Sequence, residues 1–209
     1  MRDLTRQLMA EGVLRSPLII EAFQAIDRAD FVPATVRDSA EENYPLPIGE
    51  GQTISQPLTV ALMLELLQPQ PGNSVLDVGS GSGWTTALLA QMVGQRGKVF
   101  AIERQRRLKT FGEGNAEKYG FVTSGRAVFL LGDGSRGLPA AAPFDRILVS
   151  AAALQVPPAL IQQLTVTGRL VLPIDNPSEQ GLELIIKQKN NTIKVEKIPG
   201  FVFVPLIRD

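Results

Sequence analysis

The sequence predicts an α/β domain: a central, mostly parallel sheet of about seven strands with helices on its faces. Three observations lead there. From residue 71 onward, short β-branched runs alternate with helical stretches, which marks βαβ units with right-handed crossovers. The strand runs are almost continuously apolar, as expected for strands covered on both faces. Near the end, two runs flank the polar turn Lys189-Asn190-Asn191, so the last strands should be antiparallel.

The elements follow in order. Leu4, Leu8 and Met9 fall at helical spacing, and Gly12 stops that helix. Ser16-Pro17 starts a second helix carrying Ile19, Ile20, Phe23 and Ile26, and 28–33 closes the unit. Residues 43–51 hold Pro45, Pro47, Gly49 and Gly51 and read as a loop, too broken for a helix or a central strand. Ser55-Gln56-Pro57 opens a helix to about Leu67, with Val60, Leu62, Met63, Leu66 and Leu67 apolar. Strands are expected at 74–78, 98–102, 127–131, 146–149, 169–172, 182–188 and 192–198, with a short final one at 201–204. Helices are expected at 84–93, 104–119 and 157–164. The chain reads as a single domain, 1–209. Within it, 1–67 forms a helical cap with a substrate loop, and 68–209 forms the ligand-binding core and C-terminal strands.

Composition removes much chemistry. There is no cysteine, which excludes a disulfide framework, a thiol nucleophile and a Cys-based zinc site. There is no histidine either, which excludes a Ser-His-Asp triad, a histidine base and a histidine metal site. No metal is expected. Lys+Arg and Asp+Glu are both 21, so the formal net charge is zero and steering onto nucleic acid or an anionic membrane is not favoured. No apolar run reaches the roughly 18 residues of a membrane span, and a cytoplasmic monomer is expected.

Asp77-Val78-Gly79-Ser80-Gly81-Ser82-Gly83 follows a strand and opens a helix, the setting of a ligand loop at a strand's carboxyl end. A dinucleotide fingerprint needs a small residue three positions after its second glycine. From Gly81 that position is Trp84, which disfavours a pyrophosphate and hence a dehydrogenase. Asp77, before the glycines, suits a ligand bearing an ammonium group. Glu103 ends the next strand, and a carboxylate there accepts from ribose hydroxyls. Asp133, in Gly132-Asp133-Gly134 after the third strand, can accept from an adenine amino group. An amine, a ribose and an adenine without phosphate describe S-adenosylmethionine (AdoMet). Each carboxylate alone has an ordinary reading as a strand end or turn residue. Three at successive strand ends on one rim make the stronger case.

The run from Val75 to Trp84, with Glu103 and Asp133, resembles the class I AdoMet-dependent methyltransferases. Residues 44–57, YPLPIGEGQTISQP, resemble the signature of the protein-L-isoaspartate (D-aspartate) O-methyltransferases. Arg28, Phe31-Val32-Pro33, Ala142-Pro143-Phe144-Asp145, Gly168-Arg169-Leu170-Val171-Leu172-Pro173 and Phe203-Val204-Pro205-Leu206 extend the likeness along the chain. The resemblance implies a Rossmann-like three-layer sandwich. It implies methylation of the free α-carboxylate of L-isoaspartyl residues, and of D-aspartyl residues, in damaged proteins, with S-adenosyl-L-homocysteine (AdoHcy) as product. The ester then closes to a succinimide, and hydrolysis returns some normal aspartate. It makes Ser55 the active-site residue, gives Thr53 and Val204 to the substrate, and puts Ile48 and Gly49 on the cofactor. Gly79, Ser80, Gly81, Ser82 and Gly83, with Asp77, Glu103, Asp133 and Gly134, complete the cofactor set.

The absent histidines agree with this chemistry. A carboxylate, with a pKa near 4, is already a nucleophile at pH 7 and needs no base. Ser55 is then a donor that orients it, although its place before Pro57 also makes it a candidate N-cap. The chain departs from the family pattern at Glu41 and Asn43, at Ala153-Leu154 and Thr167-Gly168, and at Leu58 and Val60. These positions bear on peptide selectivity. Two other readings stand beside this one: an RNA methyltransferase, and an AdoMet-binding protein without turnover. Arg104, Arg106, Arg107 and Lys109 form a basic cluster, which is more often a solvated helix face than an RNA site.

Overall fold

The computed structural model describes residues 3–176, 179–190, 192–201 and 203–206. Helices α1 (Asp3–Ala10), α2 (Pro17–Ala25) and α3 (Pro57–Leu67) belong to the N-terminal part. Gly12 takes a positive φ just beyond α1, and Pro17 occupies the first turn of α2, so both boundaries sit where the sequence places them. Between α2 and α3 lie two 3-10 turns and a hairpin, β1 (Leu46–Gly49) with β2 (Gln52–Ile54). The expected loop over 43–51 is therefore partly strand. Its prolines and glycines exclude it from a central sheet, and it pairs only within itself.

The core then runs β3 (Ser74–Val78), α4 (Trp84–Val93), β4 (Lys98–Glu103), α5 (Arg106–Glu117), β5 (Ala127–Leu131), β6 (Phe144–Val149) and α6 (Pro158–Gln162). It ends with β7 (Leu164–Asn176), β8 (Glu179–Lys187) and β9 (Ile193–Pro199). These strands form one seven-stranded sheet in the order β5-β4-β3-β6-β7-β8-β9. β3 pairs in parallel with β4 on one side and with β6 on the other. β4–β5 and β6–β7 are also parallel, while β7–β8 and β8–β9 are antiparallel. The chain winds outward from β3 first one way and then the other. The carboxyl end of β3 is thus a topological switch point, where open α/β sheets bind ligands.

Two apolar clusters sandwich the sheet. One joins α1 to α5 to one face through Leu8, Phe23, Leu64, Trp84 and Leu88. The other is smaller, built on Leu76, Phe144, Ile147, Leu160 and Leu172 under α6. Helix cover is thus unequal, five helices against one short one.

Two further expectations change. The strand read over 169–172 extends from Leu164 to Asn176, past a break at Thr167, which holds φ +67° where a β-branched residue is strained. The final strand over 201–204 is not a strand. Among its described residues the chain is irregular, and a single bridge joins Pro205 to Ala152. Asn191 of the predicted turn and Val202 lie outside the described residues.

Candidate active site

A cleft of about 800 Å³, measured out to its open mouth, lies at the carboxyl ends of β3, β4 and β6. That is within the usual range for small-molecule sites. Ile48, Thr53 and Ser55 line it from the hairpin side. Gly79, Ser80, Gly81 and Ser82 line it from the glycine loop, with Glu103 and Gly134 also on its wall. Val204 closes the end. Ten of the residues singled out in the sequence thus meet around one space. Gly49, Asp77, Gly83 and Asp133 stand off its wall.

Each wall has a physical origin. The glycine loop leaves β3 with the N–H groups of Gly79 and Ser80 both donating to the Ile102 carbonyl (2.8 and 3.2 Å). Gly83 turns the chain into α4 at φ +82°. A Cβ on Gly83 would lie 2.5 Å from the Gly112 carbonyl oxygen, and a Cβ on Gly112 would lie 2.7 Å from that of Gly81. Loop and α5 therefore meet backbone to backbone. Asn115 Nδ2, one turn further along α5, donates to the Ser82 carbonyl at 3.0 Å. Sequence reading missed both Gly112 and Asn115. A glycine inside a helical pattern was the available signal for the first.

Glu103 is buried and holds the loop by its carboxylate, accepting from Gly81 N at 2.9 Å and Gln105 N at 2.8 Å. Each oxygen keeps lone-pair capacity for a ligand hydroxyl. Asp133 accepts from Ser135 N at 2.9 Å and lies 3.6 Å from Arg136 Nε. It thus caps a 3-10 turn, while its neighbours Gly132 and Gly134 line the cleft.

Asp77 is fully buried behind the loop, not on its ligand face, so direct contact with a ligand ammonium is not offered. Its Oδ2 accepts from Thr86 Oγ1 at 2.7 Å, and its Oδ1 has no partner. Burial pushes its carboxyl up to about 7 against the Thr86 hydrogen bond, and the Glu103 charge adds to the rise.

On the hairpin side, Ser55 is not the N-cap of α3; Gln56 holds that position without a side-chain cap bond. The α3 donor at Leu58 N is instead met by Asn43 Oδ1 at 3.0 Å. The Ser55 side chain is therefore not needed for capping. The hairpin tip ties to α5 through Arg107–Glu50 (3.0 Å) and Gln105 Nε2 to Glu50 O (3.3 Å). Val204 is fixed by Ala152: Ala152 N donates to Val204 O (2.8 Å) and Leu206 N to Ala152 O (2.7 Å).

The departures from the family pattern stay out of the cleft. Glu41 Oε2 accepts from Leu4 N in the first turn of α1, and Val60 is buried in the core. Leu154 is 73% exposed on the surface.

These residues fit a nucleoside bearing an amino acid. Ser80 Oγ is buried on the cleft wall without a partner, and the Glu103 carboxylate stands beside it. Among the described residues no group of acidic side chains could hold a metal, and no helix is long and apolar enough to cross a membrane. A seven-stranded sheet of this order, with a glycine loop and an acidic residue after the second strand at its switch point, defines a class I AdoMet-dependent methyltransferase. The family model of the protein-L-isoaspartate (D-aspartate) O-methyltransferases matches residues 1–209. A protein-L-isoaspartate O-methyltransferase of Aeropyrum pernix is 45% identical, over 98% of this chain and 78% of its own. One from Methanopyrus kandleri is 43% identical, over 98% and 89%. A solved Plasmodium falciparum structure described by the same name, in complex with AdoHcy, superposes with a TM-score of 0.88 at 25% identity, covering 100% of this chain and 98% of that one. The chain belongs to the protein-L-isoaspartate (D-aspartate) O-methyltransferase family.

Proposed function

We propose that this cleft methylates the free α-carboxylate of L-isoaspartyl residues in damaged proteins, with AdoMet as donor and AdoHcy as product. The observation that carries the reading is that hairpin and glycine loop line one cleft. Ser55 and Thr53 line the same cleft as Ser80 and Glu103. AdoMet, when bound, supplies a methyl group on a sulfonium.

The chain's own residues then have a limited task. The substrate carboxylate is anionic at neutral pH, so no side chain must remove a proton. Ser55 and Thr53 donate hydrogen bonds that aim one carboxylate oxygen. Positioning of this kind supplies several kcal/mol of a transfer barrier. The backbone around Val204, pinned to Ala152, offers a fixed edge to the substrate peptide. On the cofactor side, Ile48 and Gly49 cover the site, the 79–83 loop presents its backbone, and Glu103 meets the ribose. Asp133 and Gly134 lie at the adenine end. Asp77 lies behind the loop, bonded to Thr86 of α4. The same reading has 1–67 act as cap and substrate loop on a 68–209 core, in a cytoplasmic monomer that does not bind nucleic acid.

The test is methyl transfer from labelled AdoMet to two peptides that differ only in isoaspartate against aspartate. Base-labile label on the isoaspartyl peptide alone is the expected result, and Ser55→Ala should reduce it about 100-fold. Label on neither peptide, with AdoMet binding seen by calorimetry, would overturn the substrate. Label on RNA would favour a nucleic-acid methyltransferase.

A further inference from the structure

Arg28 stands behind the hairpin, off the cleft wall. Only 2% of it is exposed; its hydrogen bonds go to backbone carbonyls, while the Glu41 carboxylate acts on its charge from further off. Burying a guanidinium is costly unless its N–H groups find acceptors, so where those donors go is informative. Its two terminal nitrogens supply four N–H groups, and four carbonyls take them. Nη1 donates to Ala40 O (2.9 Å) and Glu42 O (3.2 Å). Nη2 donates to Tyr44 O (2.9 Å) and Ser55 O (3.2 Å). Tyr44 lies two residues before the first strand of the hairpin, and Ser55 directly follows the second. One nitrogen thus ties both ends of the hairpin. The guanidinium carbon also lies 5.4 Å from the ring centroid of Trp84, the first residue of α4 after the glycine loop. Burial brings the guanidinium down to about 10, so it stays a cation at neutral pH.

We infer that Arg28 is a positioning residue for methyl transfer, whose fork of donors fixes Ser55 against the glycine loop. The inference rests on the reading of Ser55 given above. A two-stranded hairpin is marginal by itself. The exposed tie at Glu50 contributes little, since such ion pairs are weak in water. The four-carbonyl clamp is the buried polar tie, beside the apolar packing of Leu46, Ile48 and Ile54, and an error of about 1 Å at a reacting group costs about 100-fold in rate. Lysine keeps the charge but projects its donors from a single atom and cannot reproduce the fork.

The experiment is a double-mutant cycle with Arg28→Lys and Ser55→Ala in the full chain. Arg28→Gln, which sheds the charge and keeps two donors, is measured alongside. The readouts are kcat and KM for an isoaspartyl peptide, AdoHcy affinity by calorimetry, and cooperative melting. Emission of Trp84, the single tryptophan, reports on the ring that Arg28 covers. Arg28→Lys is expected to fold, to bind AdoHcy within about threefold, and to lose about tenfold in kcat. The double variant is expected to be no more than about twofold slower than Ser55→Ala, since the two residues act as one unit. Multiplicative losses, or full kcat in a folded Arg28 variant, would overturn the inference. So would a kcat loss matched by the unfolded fraction or by lost AdoHcy affinity. Failure of both Arg28 variants to fold would assign the residue a structural role only. If Ser55→Ala kept full kcat while Arg28→Lys lost it, the Ser55 reading would be the one to fall, and this form of the inference with it.

Discussion

The two walls of the cleft are held in opposite ways. The glycine-loop wall grows out of the central strand of the sheet and touches α5 backbone to backbone at Gly83 and Gly112. Among the described residues the hairpin wall pairs only with itself and is tied to the rest by side chains, the buried Leu46, Ile48 and Ile54 together with Arg28. Each hides one ionisable group with an unpartnered atom, Asp77 Oδ1 behind the loop and Arg28 Nε behind the hairpin. On the proposed reading, the difference follows the ligands. A wall that meets one invariant small molecule gains from main-chain rigidity. A wall that meets many protein backbones is better hung from side chains, which can be exchanged without disturbing the sheet.

The comparison breaks first at Asp77. Its folded pKa is about 7, against about 3.9 for an unfolded aspartate. The folded protein therefore keeps a proton that the unfolded chain releases. Stability falls as pH rises from about 4 to about 7 and is level above that, with a span on the order of 4 kcal/mol. Asp77→Asn should flatten that slope and be the more stable protein at pH 8, as read from urea unfolding at pH 5 and pH 8. An unchanged slope would place the titration elsewhere.

Gly112→Ala comes next. Alanine favours a helix by about 1 kcal/mol, yet its Cβ would press on the loop backbone. AdoHcy affinity should drop about 100-fold, roughly 2.7 kcal/mol, by calorimetry. Equal affinity would mean that the loop wall does not depend on this contact. On the hairpin side, Asn43→Ala removes the acceptor for Leu58 N and should cost about 1 kcal/mol by thermal unfolding, with AdoHcy affinity unchanged. Loss of AdoHcy binding there would show that the walls are coupled. The smallest effect belongs to Glu50→Ala, at most about 0.5 kcal/mol of stability, because the pair with Arg107 is largely exposed. A larger loss would move the anchor of the hairpin from Arg28 to its tip.

The loop wall was far more legible in sequence than the hairpin wall. β3, α4 and β5 begin and end where apolar runs, Trp84 and the glycines place them. Those signals are local and strong. Residues 43–51 carried the opposite signals, two prolines and two glycines, and so read as loop although Leu46–Gly49 forms a strand. Thr167 and Gly168 hid the first part of β7 in the same manner. The lining of the cleft was legible where a motif marks it, as at Glu103 after the glycine loop and Ser55 in the 44–57 segment, both of which line it. It was not legible where the role arises from two distant elements meeting. Asp77 looked like a ligand contact until its burial was known, Arg28 like one more residue of the family likeness, and Asn115 like an ordinary helix residue.

The glycines of α5 have a consequence for how the protein comes together. Gly112 and Gly114 each weaken a helix by about 1 kcal/mol, in a segment of 12 residues that is already short for an independent helix. As an isolated peptide this segment should be coil. It becomes a helix only by docking on the loop that it supports, so the nucleoside pocket and the domain must form in one cooperative step. A partly unfolded chain would then hold no ligand, and bound AdoHcy would raise the melting temperature of the whole domain rather than of one lobe.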